Sequence, residues 1–454
     1  MNNISIFGTS SDAGKSTITF VLAKLLQDMG YNVTPFKAQN VSNNAKVADD
    51  NSEIAVAQHF QAEVLGLKTS YHINPILLKT GQNHTSTLIV EGKSIEDIKV
   101  KEYYRQLDSL KPIVKRNFKK LDSEFDIVVA EGAGSPVELN LMQKDLSNLF
   151  IAEEFNTKII LVADISLGGV FASIYGTYNL LPKKLQKNVI GVIINKFQGD
   201  MSLFDGGVSI IEEQFGLDVL GVLPYVSFDL GFEDSVALKK VAKSKKSNPD
   251  PLVRVGVIAY PTMSNFNDFE PLMADSEVEL EFIRHNTSLD AFDMIVLPGS
   301  KLTLEDLEWL KKTGLDERIK VYKGVIFGIC GGFEMLCESL DGVSGLGLVD
   351  DKIEFRKQKI VKRARYELFS ILIDGFELHH GVAKKYPLFY SEKNIYATFV
   401  HEVFDSDEMR KFIFSKIDKR YKGYNFKEYK KEKIGEFVLE MKSYINLDKI
   451  IQNI

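Results

Sequence analysis

Two short segments carry residues that could do chemistry, and they lie in opposite halves of the 454-residue sequence. Residues 8–16 read GTSSDAGKS, and residues 328–332 read GICGG. Glycine, lysine and a hydroxyl residue in the first order are typical of a loop that binds phosphates. A cysteine flanked by glycines is typical of a nucleophile on a sharp turn.

The first segment has the sequence context of a phosphate-binding loop. It follows the apolar run 4–7 and begins an amphipathic pattern that predicts a helix through Leu26. Gly14 would let the backbone bend close to a phosphate, and the amides of the helix start would point at the anion. Lys15 would neutralise phosphate oxygens, and Ser16 would offer its hydroxyl to Mg²⁺. The predicted ATP-binding residues are Thr9, Asp12, Ala13, Gly14, Lys15 and Ser16.

A Mg·ATP site also needs oxygen ligands from the protein. Glu131 lies where an apolar run ends and a glycine-rich turn begins, which is the edge where parallel sheets bind ligands. Glu53 is a second candidate metal ligand. The alternative interpretation is that Glu53 is an ordinary carboxylate on a surface helix. Asn195 ends another strand and could bind the adenine edge of ATP or cap a turn.

The second segment predicts a thiol nucleophile. Cys330 follows the apolar run 325–329 and precedes a helical pattern over 333–340, and a helix start favours the thiolate. A thiolate that attacks an amide needs a base and an acid for the leaving group, and His401 at the end of the run 395–400 is the candidate for both. Backbone amides of Gly331 and of the turn at Gly299 would bind the oxyanion. The alternatives are a buried inert cysteine and an ordinary strand-end histidine.

The elements that must position these residues alternate between strand-length apolar runs and longer amphipathic stretches. The runs are 4–7, 127–130, 159–163, 189–194 and 219–223, and then 253–259, 278–282, 294–297, 325–329 and 395–400. This alternation predicts α/β domains built on parallel sheets. A Lys-rich and Ser-rich segment closed by Asn-Pro-Asp-Pro separates the two series. We therefore predict domains at 1–240 and 252–454 joined by a linker at 241–251.

Bulk composition narrows the class of partner. The net charge of −6 argues against a nucleic-acid binder. The sequence contains no run of eighteen apolar residues, so no membrane span is predicted. Two cysteines, no basic leader and ordinary hydrophobic content favour a cytoplasmic protein with small-molecule substrates. The sequence leaves a homo-oligomer open.

With both segments in view, the sequence resembles the cobyric acid synthases, glutamine-hydrolysing enzymes of cobalamin biosynthesis. The resemblance runs almost end to end and is carried by residues 8–16 (GTSSDAGKS), 35–40 (PFKAQN), 74–79 (NPILLK), 131–136 (EGAGSP), 163–173 (ADISLGGVFAS), 195–200 (NKFQGD), 264–269 (SNFNDF), 297–301 (LPGSK), 328–332 (GICGG) and 375–379 (GFELH).

The resemblance implies a fold and a reaction. It implies a deethiobiotin-synthetase-like P-loop domain followed by a class I (triad), flavodoxin-like glutamine amidotransferase domain, with Cys330 and His401 on the family's catalytic pair. It also implies that ATP and Mg²⁺ activate carboxylates of a corrinoid, adenosylcobyrinic acid a,c-diamide, and that ammonia from glutamine converts them to amides. Alternatives are the sister enzyme that amidates the a and c carboxylates, and a P-loop ATPase with an inactive amidotransferase-like module.

Some positions remain open at this level. Many class I amidotransferases carry Glu two residues after the catalytic His, but Val403 stands there, so a third triad member is unassigned. Glu402 adjoins the His, but strand alternation would point it away. Lys37 and Gln39 are predicted to face the substrate or the γ-phosphate, with a solvated loop as the alternative.

Overall fold

A computed structural model describes residues 2–80, 85–228, 230–231 and 250–454. The chain forms two compact units. The first contains Met1–Ser42, Ala57–Phe228 and Lys431–Ile454, and the second contains Asn43–Val56 and Asp229–Lys430.

The first unit is built on a parallel six-stranded sheet. Its strands are rich in Ile and Val because both faces of the sheet are covered, and residues such as Ile6, Val129 and Leu161 are fully buried. The order across the sheet is Val219–Pro224, Val189–Phe197, Lys158–Asp164, Ile4–Gly8, Ile127–Glu131 and Val33–Phe36.

Helices and a smaller sheet complete the first unit. The smaller sheet has the order Gln39–Val41, Ile76–Thr80, Thr85–Val90 and Lys93–Lys99. The α-helices are Lys15–Asp28, Val56–Val64, Val100–Asp122, Leu149–Phe155, Val170–Leu180, Lys183–Gln186, Asp205–Phe215 and Leu447–Ile451. Single 3₁₀ turns lie at Tyr71–Ile73, Met142–Lys144 and Met201–Phe204. The helix Phe426–Lys442 begins in the second unit and ends in the first.

The second unit also centres on a six-stranded sheet, with one antiparallel edge strand. Its order is Val278–Ile283, Val253–Ile258, Met294–Leu297, Val325–Ile329, Ile395–Thr398 and Phe389–Glu392. A second sheet has the order Val343–Ser344, Cys337–Leu340, Val349–Leu368, Ile371–Ala383 and Val400–His401. Two-stranded pairs are Met263–Ser264 with Gly299–Ser300, and Ala45–Val47 with Glu53–Ala55.

Short helices flank the sheets of the second unit. The α-helices are Glu270–Ala274, Thr303–Thr313, Leu315–Val321, Gly331–Leu336 and Asp407–Ile417, and 3₁₀ turns lie at Phe266–Phe269 and Val403–Asp405. Phe327 and Phe333 are fully buried on the central strand and the following helix. The strand that precedes Cys330 and the helix that follows it are therefore anchored in the core.

The predicted α/β class with parallel sheets is confirmed, and every predicted strand is present with its ends shifted by at most a few residues. The helical pattern predicted to Leu340 ends at Leu336, because Cys337 begins a strand that pairs with Val349. Among the described helices, none is both long and apolar enough to cross a bilayer.

The two units are not separated by a single boundary in the sequence, because each contains more than one segment of the chain. Residues 43–56 belong to the second unit and residues 431–454 to the first, whereas a cut near 241–251 would assign each to the other. Phe437 explains the second case, since its ring centroid lies 4.5 Å from that of Phe228 and 5.8 Å from that of Phe20. Of the predicted linker, only residues 250 and 251 are described.

Candidate active sites

The phosphate loop lies between the strand Ile4–Gly8 and the helix Lys15–Asp28. Gly14 precedes the helix with φ 97° and ψ 23°, and a Cβ there would lie 2.1 Å from Nδ2 of Asn195. Both observations require glycine. The Lys15 ammonium donates to the carbonyl of Ser10 at 3.3 Å, within the loop it is predicted to serve.

Other predicted ATP-binding residues shape the same loop. Asn195 donates its side-chain amide to the carbonyl of Ala13 at 3.0 Å, so it braces the loop, and its contact with adenine stays a prediction. Asp12 has φ 56° and its carbonyl accepts from Lys196. Thr9 donates its backbone N–H to Val162 at 2.9 Å. The roles of Thr9, Asp12 and Ala13 toward ATP stay predictions.

Glu131 is the centre of a buried polar cluster beside this loop. One carboxylate oxygen accepts from the Ser16 hydroxyl and from the Lys37 ammonium, each at 2.7 Å. The other accepts from Gln61 at 2.6 Å and from Gln58 at 3.4 Å. Burial raises the pKa of Glu131, but Lys37 and the hydrogen bonds outweigh burial and hold it below its usual range. The carboxylate is therefore ionised.

Sequence reasoning missed Gln58 and Gln61. They lie three residues apart on the helix Val56–Val64, on the face that turns toward Glu131. That spacing was visible in the sequence, but amides on an amphipathic helix are common and do not identify a site. The structure brings together Ser16, Lys37 and Glu131, which were each predicted separately as site residues.

Two predicted residues have other partners. Gln39 accepts through its side-chain oxygen from Tyr103 at 2.6 Å, so its role toward substrate stays a prediction. Glu53 belongs to the second unit, where its two carboxylate oxygens accept from Lys359 at 3.0 and 2.9 Å. The interpretation of Glu53 as a metal ligand also stays a prediction.

The residues around Glu131 fit a magnesium ion bound together with phosphates. Ser16 and Glu131 offer hard oxygens at one place, which is what Mg²⁺ prefers. Within the described ranges, no three His, Cys, Asp or Glu side chains cluster as an all-protein metal cage would require.

Cys330 occupies a strained turn in the second unit. Its φ is 52° and its ψ is −111°, a combination that residues with a Cβ rarely adopt. The turn joins the strand Val325–Ile329 to the helix Gly331–Leu336, and the Cys330 N–H donates to Thr398 at 2.8 Å. This is the geometry of a nucleophile elbow.

Gly331 and Gly299 are confined by close neighbours at this turn. A Cβ on Gly331 would lie 2.8 Å from the backbone nitrogen of Ser300, and a Cβ on Gly299 would lie 3.0 Å from Cε1 of His401. The strand-end turn 299–300 thus packs directly against the helix start and the imidazole. The assignment of their amides to an oxyanion hole stays a prediction.

His401 makes a short contact with a carboxylate that sequence reasoning missed. Its Nδ1 lies 2.7 Å from Oδ2 of Asp268, and Oδ1 of Asp268 accepts from the backbone N–H of Glu402 at 2.8 Å. All three residues are buried. Asp268 lies in segment 264–269, which carries the family resemblance, but nothing in its spacing pointed to a residue 133 positions away.

Electrostatics link the imidazole to both neighbours. Burial lowers the pKa of His401, but the charge of Asp268 and the electrostatic interaction with Cys330 outweigh burial and raise it to about 10. The Cys330 sulfur itself lies 3.8 Å from the carbonyl oxygen of Leu378. His379, by contrast, contacts Gly381 and Glu377 and stacks on Phe399.

Comparisons with known proteins find two successive family domains in the chain. The model of the CobQ/CobB/MinD/ParA nucleotide binding domain matches residues 4–230, and that of the CobB/CobQ-like glutamine amidotransferase domain matches residues 254–409. The chain is 56% identical to a cobyric acid synthase of Acinetobacter baylyi over 100% of this chain and 99% of that protein. It is 36% identical to one of Carboxydothermus hydrogenoformans, with 98% of each chain covered, and 34% identical to one of Clostridium acetobutylicum, with 91% and 89% covered.

Fold and sites therefore define a nucleotide-binding domain followed by a glutamine amidotransferase domain in one polypeptide. Within that class, the chain belongs to the cobyric acid synthase family, the ATP-dependent amidotransferases of cobalamin biosynthesis. The family resemblance found in the sequence is confirmed.

Proposed function

We propose that this chain amidates the b, d, e and g side-chain carboxylates of adenosylcobyrinic acid a,c-diamide, with ATP as the activator and glutamine as the nitrogen source. Full-length similarity to cobyric acid synthases supports the substrate. The observation that carries the chemistry is the presence, in one chain, of a Lys15–Ser16 phosphate loop beside ionised Glu131 and of Cys330 on a strained turn together with a buried His401–Asp268 pair.

In the first unit, a substrate carboxylate takes the γ-phosphoryl group of ATP and becomes an acyl phosphate, with ADP as the leaving group. The Lys15 ammonium stabilises charge on the phosphates, and the amides at the start of its helix face the anion. Ser16 and Glu131 would hold Mg²⁺, which neutralises phosphate charge when bound. Lys37 keeps Glu131 ionised and supplies a second cation next to the loop.

In the second unit, the proton of the Cys330 thiol passes to His401, and the resulting thiolate attacks the side-chain amide carbon of glutamine. The C–N bond breaks, His401 gives its proton to the departing nitrogen, and a thioester remains. Water then attacks the thioester, His401 accepts a proton from that water, and glutamate leaves. Ammonia attacks the acyl phosphate and displaces phosphate, which completes one amide.

Purified protein with ATP, glutamine and the diamide tests this proposal. We expect glutamate release and a product whose mass corresponds to four amidations. The variant C330A should release no glutamate but should still amidate the corrinoid when ammonium is supplied. This last result would show that loss of the thiol spares the ATP-dependent step.

Two outcomes would contradict the proposal. Glutamate release that persists in C330A would remove Cys330 from the mechanism. No glutamate release by the wild-type protein with any corrinoid would favour an ATPase whose amidotransferase-like part only binds ligands.

A further inference from the structure

A short hairpin from the first half of the chain is part of the second unit. It comprises residues 43–56 and pairs the strands Ala45–Val47 and Glu53–Ala55. The chain leaves the first unit after Ser42 and returns to it at Ala57. This hairpin contacts three segments around the thiol site, by which we mean Cys330, His401 and Asp268.

The first contact holds Glu402, the residue after His401. Glu402 has φ 65°, a left-handed conformation that is unfavourable for a residue with a Cβ. Its carboxylate lies 2.7 Å from the ammonium of Lys46, on the hairpin, and 2.9 Å from the guanidinium of Arg363. Arg363 is itself tied to the hairpin, because it donates to the carbonyl of Val47 and to the side chain of Asn51.

The second contact holds the turn that carries Asp268. Asn265 precedes that turn with φ 54°, again left-handed, and its N–H donates to the side-chain oxygen of Asn44 at 3.0 Å. The third contact joins Asn43 to Lys301 at 3.3 Å, next to the turn of Gly299. Hairpin side chains thus hold both left-handed residues that flank the His401–Asp268 pair.

We propose that Lys46 and Asn44 are positioning residues for the amide-cleaving site, an inference that rests on the proposed role of Cys330 and His401. The backbone N–H of Glu402 binds one oxygen of Asp268, and His401 binds the other. Because unusual backbone conformations persist only where their surroundings hold them, loss of the Lys46 ion pair releases the Glu402 backbone and misorients Asp268. A segment from the synthetase half of the sequence therefore positions the residues that release ammonia.

A double-mutant cycle between Lys46 and Glu402 tests this inference. In the whole protein, K46M should lower the kcat of glutamate release about tenfold, within the range of coupled neighbours, and leave the KM for glutamine within about twofold. K46R should restore most of the loss, since arginine keeps the ion pair. In an E402G background, where glycine adopts a left-handed backbone without strain, K46M should change kcat less than about twofold.

Two variants serve as matched controls. K384M removes an exposed lysine of the same unit that pairs with Glu354, and S52A alters the far end of the hairpin. Both should retain the wild-type kcat. Should K46M fail to fold, N44A is the second probe and should also lower the kcat of glutamate release. N44D keeps an oxygen acceptor for the Asn265 N–H and should retain most of the wild-type kcat.

A second readout separates this inference from the proposed function. The rate at which iodoacetamide alkylates Cys330 depends on the thiol and its imidazole whether or not glutamine is the substrate. We expect K46M to slow alkylation and both controls to match the wild type. Unchanged kcat and alkylation in K46M, or an equal loss in the E402G background, would overturn the positioning role. Wild-type protein that releases no glutamate would overturn the proposed function instead.

Discussion

His401 has a charge state that depends on its neighbours Asp268 and Cys330. Its pKa of about 10 means that the buried imidazole stays protonated across the neutral range. Because the folded-state pKa lies above the usual value near 6.5, the protonated imidazole stabilises the folded protein. This stabilisation is complete below pH 6.5 and is lost as the pH rises from there through about 10. A protonated imidazole is ready to donate to the departing ammonia.

Substitution of Asp268 tests this electrostatic arrangement. D268N removes the charge that raises the pKa of His401, so the imidazole should lose its proton at a lower pH, and glutaminase kcat should fall by about 10² or more. Histidine NMR gives the pKa, and glutamate release gives the rate. D290N, at an exposed position of the same unit, is the control. An unchanged imidazole titration would contradict the role of Asp268.

Glu131 offers a complementary prediction for the first unit. E131Q keeps the size of the side chain but removes the charge that pairs with Lys37 and faces Ser16. Because phosphoryl transfer depends on charge stabilisation, ammonia-dependent amidation should fall by about 10² or more, whereas glutamate release without ATP should persist. E138Q, at an exposed position of the same unit, is the control. Full amidation activity in E131Q would remove Glu131 from the site.

Residue types made some of these residues candidates and not others. Ser16, Lys37 and Glu131 were candidates because they follow strand-length apolar runs or lie in a glycine-rich loop, but the contact between Lys37 and Glu131 was not predicted. Asp268 was not found, because its contact with His401 depends on how a 3₁₀ turn packs against a distant strand end. Gln58 and Gln61 became candidates only once their shared partner was located.

At the scale of elements, strand-length apolar runs predicted both central sheets, since buried parallel strands leave a strong sequence signal. The hairpin of residues 43–56 left none, because its three-residue strands are too short to show a period. The helix after Cys330 was predicted too long, since the apolar pattern continues into the strand Cys337–Leu340.

The helix Phe426–Lys442 carries an element-scale prediction. Phe437 is buried against Phe228 and Phe20, so F437A should lower the free energy of unfolding of the first unit by about 3 kcal/mol. L439A is the matched control on the same helix, where the side chain is 70% exposed, and should cost about 0.5 kcal/mol or less. Denaturant midpoints followed by fluorescence compare the two. Equal midpoints for both variants would mean that this helix does not stabilise the unit.

At the scale of the whole molecule, each unit contains a segment from the other end of the chain. Fragments 1–251 and 252–454 should therefore each be less stable alone than in the intact protein, because the first lacks Phe437 and the second lacks Lys46. Co-expression should restore solubility and glutamate release. Separate fragments with the thermal midpoints of the intact protein would contradict this expectation.

The order of synthesis gives the exchanged segments a further consequence. The ribosome delivers the hairpin well before residues 431–454, so the first unit cannot close its core around Phe437 until those residues have been made. At ordinary elongation rates the emerging polypeptide waits on the order of tens of seconds with Phe20 and Phe228 uncovered. Nascent chains of this protein should therefore bind ribosome-associated chaperones until Phe437 has emerged, which crosslinking of stalled chains that end before and after this residue would measure.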